Sequence, residues 1–536
     1  MLMMTTNRSK YPKYFIASLL LFVLAVLPYL YILKLPFLGI DTIPTIASAK
    51  IESIVELPNV FIRELRGGIT PYIAYYRPLT LVTYTIDYAF WEWKPFGYHL
   101  TDLVLHGLAV VSVLWMALLA FERRLIESFL VGILFLMHPV ANEIVPAISR
   151  RQEPLFMIGL AFALMGAAKM PRLKGWVFAL LGSIIAIMSV ERALITPAIL
   201  LIFLYLIRLE KRSLIERIQL SVLWSLPFFA FAVAFYALRW LLFGNSGIQF
   251  SLGNLIKFPI SYAVSVIYPQ QIIALRWPTE PLLIVLVALV SVILAIVIAN
   301  IFIKSPQHNL YFFCCIVILI IGMFLATAGQ LLPWYPFVAA AFFALLVVAL
   351  AFEAIKRFKN LGWNEFRSVA TLISIAVILL SLIVVSPFFG DYGGWRVASE
   401  QMENITSELL HLIDELPRDT GLVLINVPSH YQENNSEYRI TRSAAILWPY
   451  SLQPWLDAQD INNPVIILGT SAHIGMIRTP EVQLSDSNTM NIYFDEKDSI
   501  YSGSEFEWPP QQLEGKHFRS FIYNGEQFVE LSLSQD

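Results

Sequence analysis

The sequence predicts an all-α polytopic membrane bundle of about eleven transmembrane helices with a small C-terminal α/β domain outside the membrane. Three observations carry that expectation. Of 536 residues, 57% are hydrophobic and 14% charged, and the mean hydropathy is +0.66, whereas a soluble domain carries about a quarter charged residues. The apolar residues fall in runs of roughly twenty, the length that spans a hydrocarbon core of about 30 Å. The net charge of −2 is also unevenly split: residues 391–536 hold 22 acids and 8 bases, leaving 17 acids and 29 bases before them. A basic membrane part fits the positive-inside rule, and an acidic tail fits a solvated domain on the other side.

The first apolar run, 14–33, follows Arg8, Lys10 and Lys13. It is too long for a signal peptide and lacks a small-residue cleavage site, so it reads as a retained span with the N-terminus inside. Further runs recur near 99–121, 125–138, 153–170, 174–190, 194–207, 219–242, 282–303, 309–330, 335–354 and 367–388. An odd number of crossings places the tail outside. The basic loops at 122–124, 169–174, 208–217 and 356–367 all fall on the same, inner side of this arrangement. Segment 255–273 is apolar but broken by Pro259 and Pro269, and reads as a re-entrant or interface-lying piece. This divides the chain into a membrane domain, 1–390, and an extracytoplasmic domain, 391–536.

Two regions stand outside the bilayer in this scheme. The loop 35–98 is far longer than the two to eight residues usual between bundle helices, and its apolar spacing and its Tyr and Trp content predict short amphipathic helices at the interface. The tail from 391 reads as a helix (WRVASEQMENITSELLHLIDEL) and then short strands at GLVLINVP, VIILG and NIYFD. It closes with a hairpin in FRSFIYNGEQFVELSL, where Asn524-Gly525 supplies the turn.

Composition also excludes function classes. The basic residues sit in short loops without an aromatic-interleaved patch, so no nucleic acid is expected as partner. Cys314 and Cys315 are adjacent inside an apolar run, where they cannot easily pair, and no ligand cluster calls for a metal.

Charged residues near a bilayer are expensive, and here they collect at one predicted face. The topology brings there Asp41, Glu52 and Glu56, then Tyr76, Arg77 and Pro78, then His99, Asp102 and His106. It adds the stretch from His138 to Glu153, with Glu143, Arg150 and Arg151, then Glu191 and Arg192, and finally Arg239. Such a mixture suits a site that grips an anionic phosphate with arginine forks and deprotonates a hydroxyl with a carboxylate. Each residue also has a plainer reading. The Arg and Glu residues could form ion pairs that hold the bundle, His106 could be an interhelical hydrogen-bonding partner, and Asp41 could be a helix N-cap.

The stretch YYRPLTLVTYTIDYAFWEWKPFGYHLTDLVLH, followed by LFLMHPVANEIVPAISRRQEPLFMIGLAFAL, resembles the membrane half of the transmembrane and tetratricopeptide-repeat O-mannosyltransferases and their bacterial relatives, of the GT-C glycosyltransferase superfamily. The resemblance covers roughly 14–245. Tyr76-Arg77-Pro78-Leu79 is similar to the family's Arg-Pro-Leu element, and Gly97-Tyr98-His99 with His106 to its span-two entrance. His138-Pro139, Glu143, Arg151 and Glu153 are similar to its His-Pro to Glu to Arg-x-acid element, and Ser189-Val190-Glu191 to its Ser-Lys-Glu, without the lysine.

What the resemblance implies is a GT-C-like fold and sugar transfer from a polyprenyl-phosphate-linked donor to a glycan, lipid or protein acceptor on the outer side of a bacterial plasma membrane. A first-loop acid would be the base. In these terms Asp41 is the candidate base, and Arg77, Arg151 and Arg239 are the candidate phosphate ligands. Tyr76, His99, His138, Glu143, Glu153, Glu191 and Arg192 stand as further site candidates. No cofactor is required, although Mg²⁺ could assist at a phosphate. The family usually shows two adjacent acids in the first loop, whereas Gly39-Ile40-Asp41-Thr42 offers one; tetratricopeptide repeats are absent, so protein O-mannosylation is not carried over. The competing readings are a transporter or flippase of lipid-linked or envelope sugar components, and a catalytically inactive scaffold.

Overall fold

The computed structural model describes residues 11–244 apart from 40 and 69–73, then 252–267, 305–325, 332 and 334–361, and the single residues 373, 376, 386 and 388. From the tail it describes 394–417, 420–432 apart from 429, 443–445, 449–468 apart from 462, 481–486, 489–493, 504–507, 510–514 and 517–531 apart from 525. The predicted span 282–303 and nearly all of 367–388 lie outside the described residues.

Four described helices are long and apolar enough to cross a membrane: Pro12–Lys34, Pro95–Ala120, Leu214–Phe243 and Phe337–Arg357. In the first, α1 (Tyr11–Val26) passes into a 3-10 segment, Leu27–Lys34, that begins beside Pro28. The second, α4 (Pro95–Ala120), is about 39 Å long at 1.5 Å per residue and lies at the centre, against α1 and α5 (Leu125–Leu136). Phe15, Ile16 and Leu19 of α1 project outward, as a lipid-facing surface requires. The predicted span 125–138 forms only twelve helical residues, about 18 Å, because the residue before Pro139 is steered out of helical geometry.

Short helices fill the first loop: α2 (Thr42–Ala49), a 3-10 turn at Ile54–Ile62, and α3 (Pro78–Trp91). After α5 come the four-residue α6 (Ala141–Ile144), α7 (Gln152–Ala167) and α8 (Leu173–Ser189). The α7–α8 hairpin is the most tightly packed pair in the bundle. A Cβ built on Gly159 would lie 2.5 Å from the Ala186 nitrogen, and one on Gly182 would lie 2.3 Å from the Ala163 nitrogen. With no hydrophobic drive between helices in lipid, such close backbone contact carries the association. Gly182→Val is therefore expected to destabilise the bundle by about 1 to 3 kcal/mol through overpacking. A lowered thermal midpoint in detergent checks this; a parental midpoint would contradict the packing.

The chain continues through α9 (Thr196–Phe203), α10 (Leu214–Phe243), α11 (Leu252–Ile267), α12 (His308–Leu325) and α13 (Phe337–Leu361). The part of 255–273 that is described is helical through Pro259 and packs on α12. At the bundle end opposite the first loop, two of the predicted basic loops meet. Arg208 Nη2 donates to the Met170 carbonyl at 2.8 Å, close to Arg172 and Arg212.

The tail opens with α14 (Trp395–Asp414), entered through Gly394, whose φ of 67° is open to glycine. Trp395, Ala398, Met402, Ile405, Leu409 and Ile413 are buried at helical spacing. They cover a four-stranded sheet in the order β2-β1-β3-β4, formed by Val465–Leu468, Gly421–Ile425, Phe518–Tyr523 and Phe528–Glu530 respectively. β1 runs parallel to β2 and to β3, and β3 and β4 pair antiparallel across the predicted Asn524 turn. The Asn524 side chain accepts from the Glu526 and Gln527 amides. A three-stranded antiparallel sheet links Glu481–Asp486, Thr489–Tyr493 and Ser504–Glu507. The tail does not keep its core to itself: one apolar cluster joins Leu38, Ile43, Ile46 and Val60 of the first loop to Trp395, Met402, Leu409 and Leu424. Helix α15 (Pro449–Asp457) lies against α2.

Candidate active site

Asp41 precedes α2 in the N-cap position but makes no capping hydrogen bond with its side chain. Its carboxylate instead accepts from Arg66 Nη1 at 2.8 Å. Arg66 is held in turn by Glu64, which binds the Arg66 and Gly68 amides at 2.9 and 2.8 Å through one oxygen and the Tyr75 amide at 3.0 Å through the other. The Tyr75 ring then stands within cation–π reach of two guanidinium groups, with Arg66 4.3 Å and Arg77 4.5 Å from its centroid.

Arg77 continues the chain of contacts, donating through Nε to Glu191 Oε2 at 2.8 Å. Burial opposes its charge, yet Glu191, Tyr75 and Glu153 outweigh that and raise its pKa above the ordinary arginine value. Glu153 pairs with Arg192, whose guanidinium lies 4.3 Å from the Tyr335 ring centroid and donates to the Tyr335 carbonyl at 3.3 Å. One carboxylate oxygen on each of Glu153 and Glu191 is buried without a hydrogen-bond partner among the described residues. Arg150 closes the cluster, bonded to the Glu143 carbonyl and at 3.1 Å to its Oε2, with its guanidinium 3.7 Å from the Trp334 ring centroid. Burial pushes the Arg150 pKa down, against the pull of Glu143, Asp41 and Glu153.

Exposure separates these acids. The Asp41 side chain is 39% exposed and that of Glu191 20%, whereas Glu143 and Glu153 are almost completely enclosed. A group that exchanges a proton with an incoming hydroxyl must be reachable, and Asp41 is the most exposed of these four carboxylates. Glu52 is exposed and Glu56 pairs loosely with Arg63 at 3.8 Å.

Arg151 was expected among the phosphate ligands, and the structure places it elsewhere. It is fully enclosed, donating to Asp102 Oδ1 at 2.9 Å, Asp87 Oδ2 at 2.6 Å and the Tyr98 carbonyl at 3.2 Å, with Tyr84 beneath it at 4.0 Å. Asp87 also accepts from Thr101 at 2.7 Å. These bonds tie α3, α4 and the start of α7 together, so Arg151 sets the position of its neighbours Arg150 and Glu153. Arg239 donates to the Ala74 carbonyl at 2.9 Å beside Tyr75, and Tyr76 donates to the Phe61 carbonyl at 2.8 Å while stacking on Phe235. His99 Nε2 lies 3.4 Å from the Pro36 carbonyl, and His138 Nε2 lies 3.0 Å from the Val266 carbonyl. Both ring nitrogens of His106 lack partners among the described residues, contrary to the interhelical bond expected. No group of three or more His, Cys, Asp or Glu among the described residues is disposed to hold a metal.

Sequence reasoning passed over Glu64, Arg66, Tyr75 and Asp87. Arg66-Gly67-Gly68 two residues after an acid is a turn signal that could have drawn notice to the first two.

Fold and site together define a helical membrane protein with a paired arginine and carboxylate cluster at one end of its bundle, where the C-terminal tail packs on the first loop. The chain is similar to the protein O-mannosyl-transferase TMTC3 of Mus musculus, at 33% identity over 94 residues, which is 18% of this chain and 10% of that protein. It is also similar to TMTC3 of Homo sapiens, at 36% identity over 83 residues, 16% of this chain and 9% of that protein. The chain thus matches about a tenth of the length of these relatives. Among solved structures, ArnT from Cupriavidus metallidurans in the apo state aligns over 84% of this chain and 85% of that one, with 14% identity and a TM-score of 0.42. No family model matches the chain.

Proposed function

We propose that this protein is a membrane glycosyltransferase of the GT-C type that moves a sugar from a polyprenyl-phosphate-linked donor to an acceptor on the extracytoplasmic side. The observation that carries the reading is the pairing of a reachable carboxylate, Asp41, with a bank of enclosed arginines at the same end of the bundle. In the proposed reaction the acceptor oxygen attacks the anomeric carbon in line as the bond from that carbon to the phosphate oxygen breaks. The acceptor proton passes to Asp41, the configuration inverts, and the polyprenyl phosphate departs with the electron pair. Arg77, against the Tyr75 ring, and Arg239, which donates to the Ala74 carbonyl, would stabilise the charge growing on the phosphate. The reading calls for no cofactor.

Arg77→Lys is expected to weaken donor binding by about 1.5 to 3 kcal/mol, roughly tenfold or more, because an ammonium cannot reproduce the guanidinium fork. Titration with polyprenyl phosphate checks this, and parental affinity would make Arg77 purely structural. The meeting of basic loops at the far end of the bundle supports an inner location for that end and an outer one for the site. A reporter that works only in the cytoplasm, fused after Asp536, should be silent; activity there would reverse the orientation. The function itself is tested by comparing envelope glycans and polyprenyl-phosphate-sugar pools in cells with and without the protein. Loss of a glycan with a rise of one lipid-linked sugar is expected, and unchanged pools and glycans would contradict the reading.

A further inference from the structure

The tail enters the bundle at one side chain. Trp395, the first residue of α14, is wholly buried, and its indole Nε1 donates to the Asn142 carbonyl at 2.8 Å. Asn142 immediately precedes Glu143, whose carbonyl and carboxylate hold Arg150, and the Tyr29 hydroxyl fixes the Asn142 side chain at 3.1 Å. The Trp395 ring centroid also lies 5.8 Å from the Arg150 guanidinium, opposite in sequence origin to Trp334 at 3.7 Å. A buried guanidinium is costly unless it is hydrogen-bonded and its charge is compensated; Glu143 takes up Nη1 and the two indoles lie within cation–π reach. Arg150 lies next in the chain to Arg151 and acts electrostatically on Asp41 and Glu153.

We propose that Trp395 is a positioning residue for the site: by holding the Asn142-Glu143 turn and lining Arg150, it lets the tail complete the anion-binding end of the membrane cluster. The proposal rests on the reading of that cluster as a lipid-phosphate site. It assigns the tail a part in the membrane chemistry, and it explains why α14 is entered through a glycine with φ of 67°, which turns the chain so that residue 395 can point into the bundle's end. The rest of α14 packs within the tail and α15 packs on α2 of the first loop, so Trp395 sits at the edge of a continuous apolar core.

The test uses the full-length protein in lipid nanodiscs, with polyprenyl monophosphate as the probe. Affinity and thermal midpoint are measured for the parent, Trp395→Phe, Trp395→Ala, Arg150→Lys and the two double variants. Trp395→Ala should weaken binding roughly tenfold and Trp395→Phe, which keeps a ring but loses the donor, several-fold. Because both residues act through the same guanidinium, adding either Trp395 change to Arg150→Lys should weaken binding little further. Should Trp395→Ala fail to fold, Trp395→Phe carries the comparison. A parent that binds while the Trp395 variants bind equally well, or whose losses multiply with that of Arg150→Lys, overturns the proposal alone. A parent that binds no polyprenyl phosphate overturns the site reading, and the proposal with it.

Discussion

Asp41→Asn is expected to leave the protein folded, inserted and able to bind donor while lowering sugar transfer on the order of 10²-fold or more, the scale of lost general-base catalysis. The substitution is nearly isosteric and its amide oxygen can still accept from Arg66 Nη1, so the local arrangement survives. The alternative role, helix capping, would predict no effect, since Asn caps about as well as Asp. The side chain in any case makes no capping hydrogen bond, so the substitution removes the carboxylate's ability to take a proton, together with its charge beside Arg66, and not a cap. Turnover measured beside donor affinity separates the outcomes. Parental turnover would remove Asp41 from the chemistry; with Glu52 solvent-exposed and Glu56 engaged by Arg63, Glu191 would be the next acid to examine.

Arg151→Met should be more damaging to the fold than to any one kinetic constant. It would leave Asp87 and Asp102 facing each other in an enclosed site with their shared cation gone, a change that costs about 3 to 5 kcal/mol for a broken buried pair. The thermal midpoint and the monodisperse fraction in detergent are expected to fall sharply. Arg151→Lys keeps the charge but cannot reach Asp102, Asp87 and the Tyr98 carbonyl together, so an intermediate loss is expected. If Arg151 were instead a phosphate ligand, both variants would keep parental stability and lose only donor affinity.

The contrast between Asp41 and Arg151 shows what could be read from the sequence. Hydropathy and charge gave the membrane character, the helical first loop and the grouping of Asp41, Arg77, Arg150, Glu153, Glu191 and Arg192 at one end, because those follow from periodicity and from the cost of placing charge near lipid. The Asn524 hairpin was legible from local turn chemistry. Partner choice within the cluster was not. Nothing in the spacing says that Arg151 turns inward to Asp87 and Asp102 while Arg150, one residue earlier, turns toward Glu143 and Trp334; a 3-10 turn at Ile148–Arg150 sends adjacent side chains in different directions. The bridge from Trp395 to Asn142 spans 253 residues and carries no local signature at all. The shortness of α5 was readable from Pro139, but the apolar run around it masked the stop.

Transfer from a lipid phosphate can be followed with the purified protein in nanodiscs, given a set of polyprenyl-phosphate sugars and an envelope glycan extract. One donor should be consumed, its sugar should appear on an acceptor with inverted anomeric configuration, and free polyprenyl phosphate should be released in equal amount. Donor left intact across the set, by protein that binds polyprenyl phosphate, would contradict it.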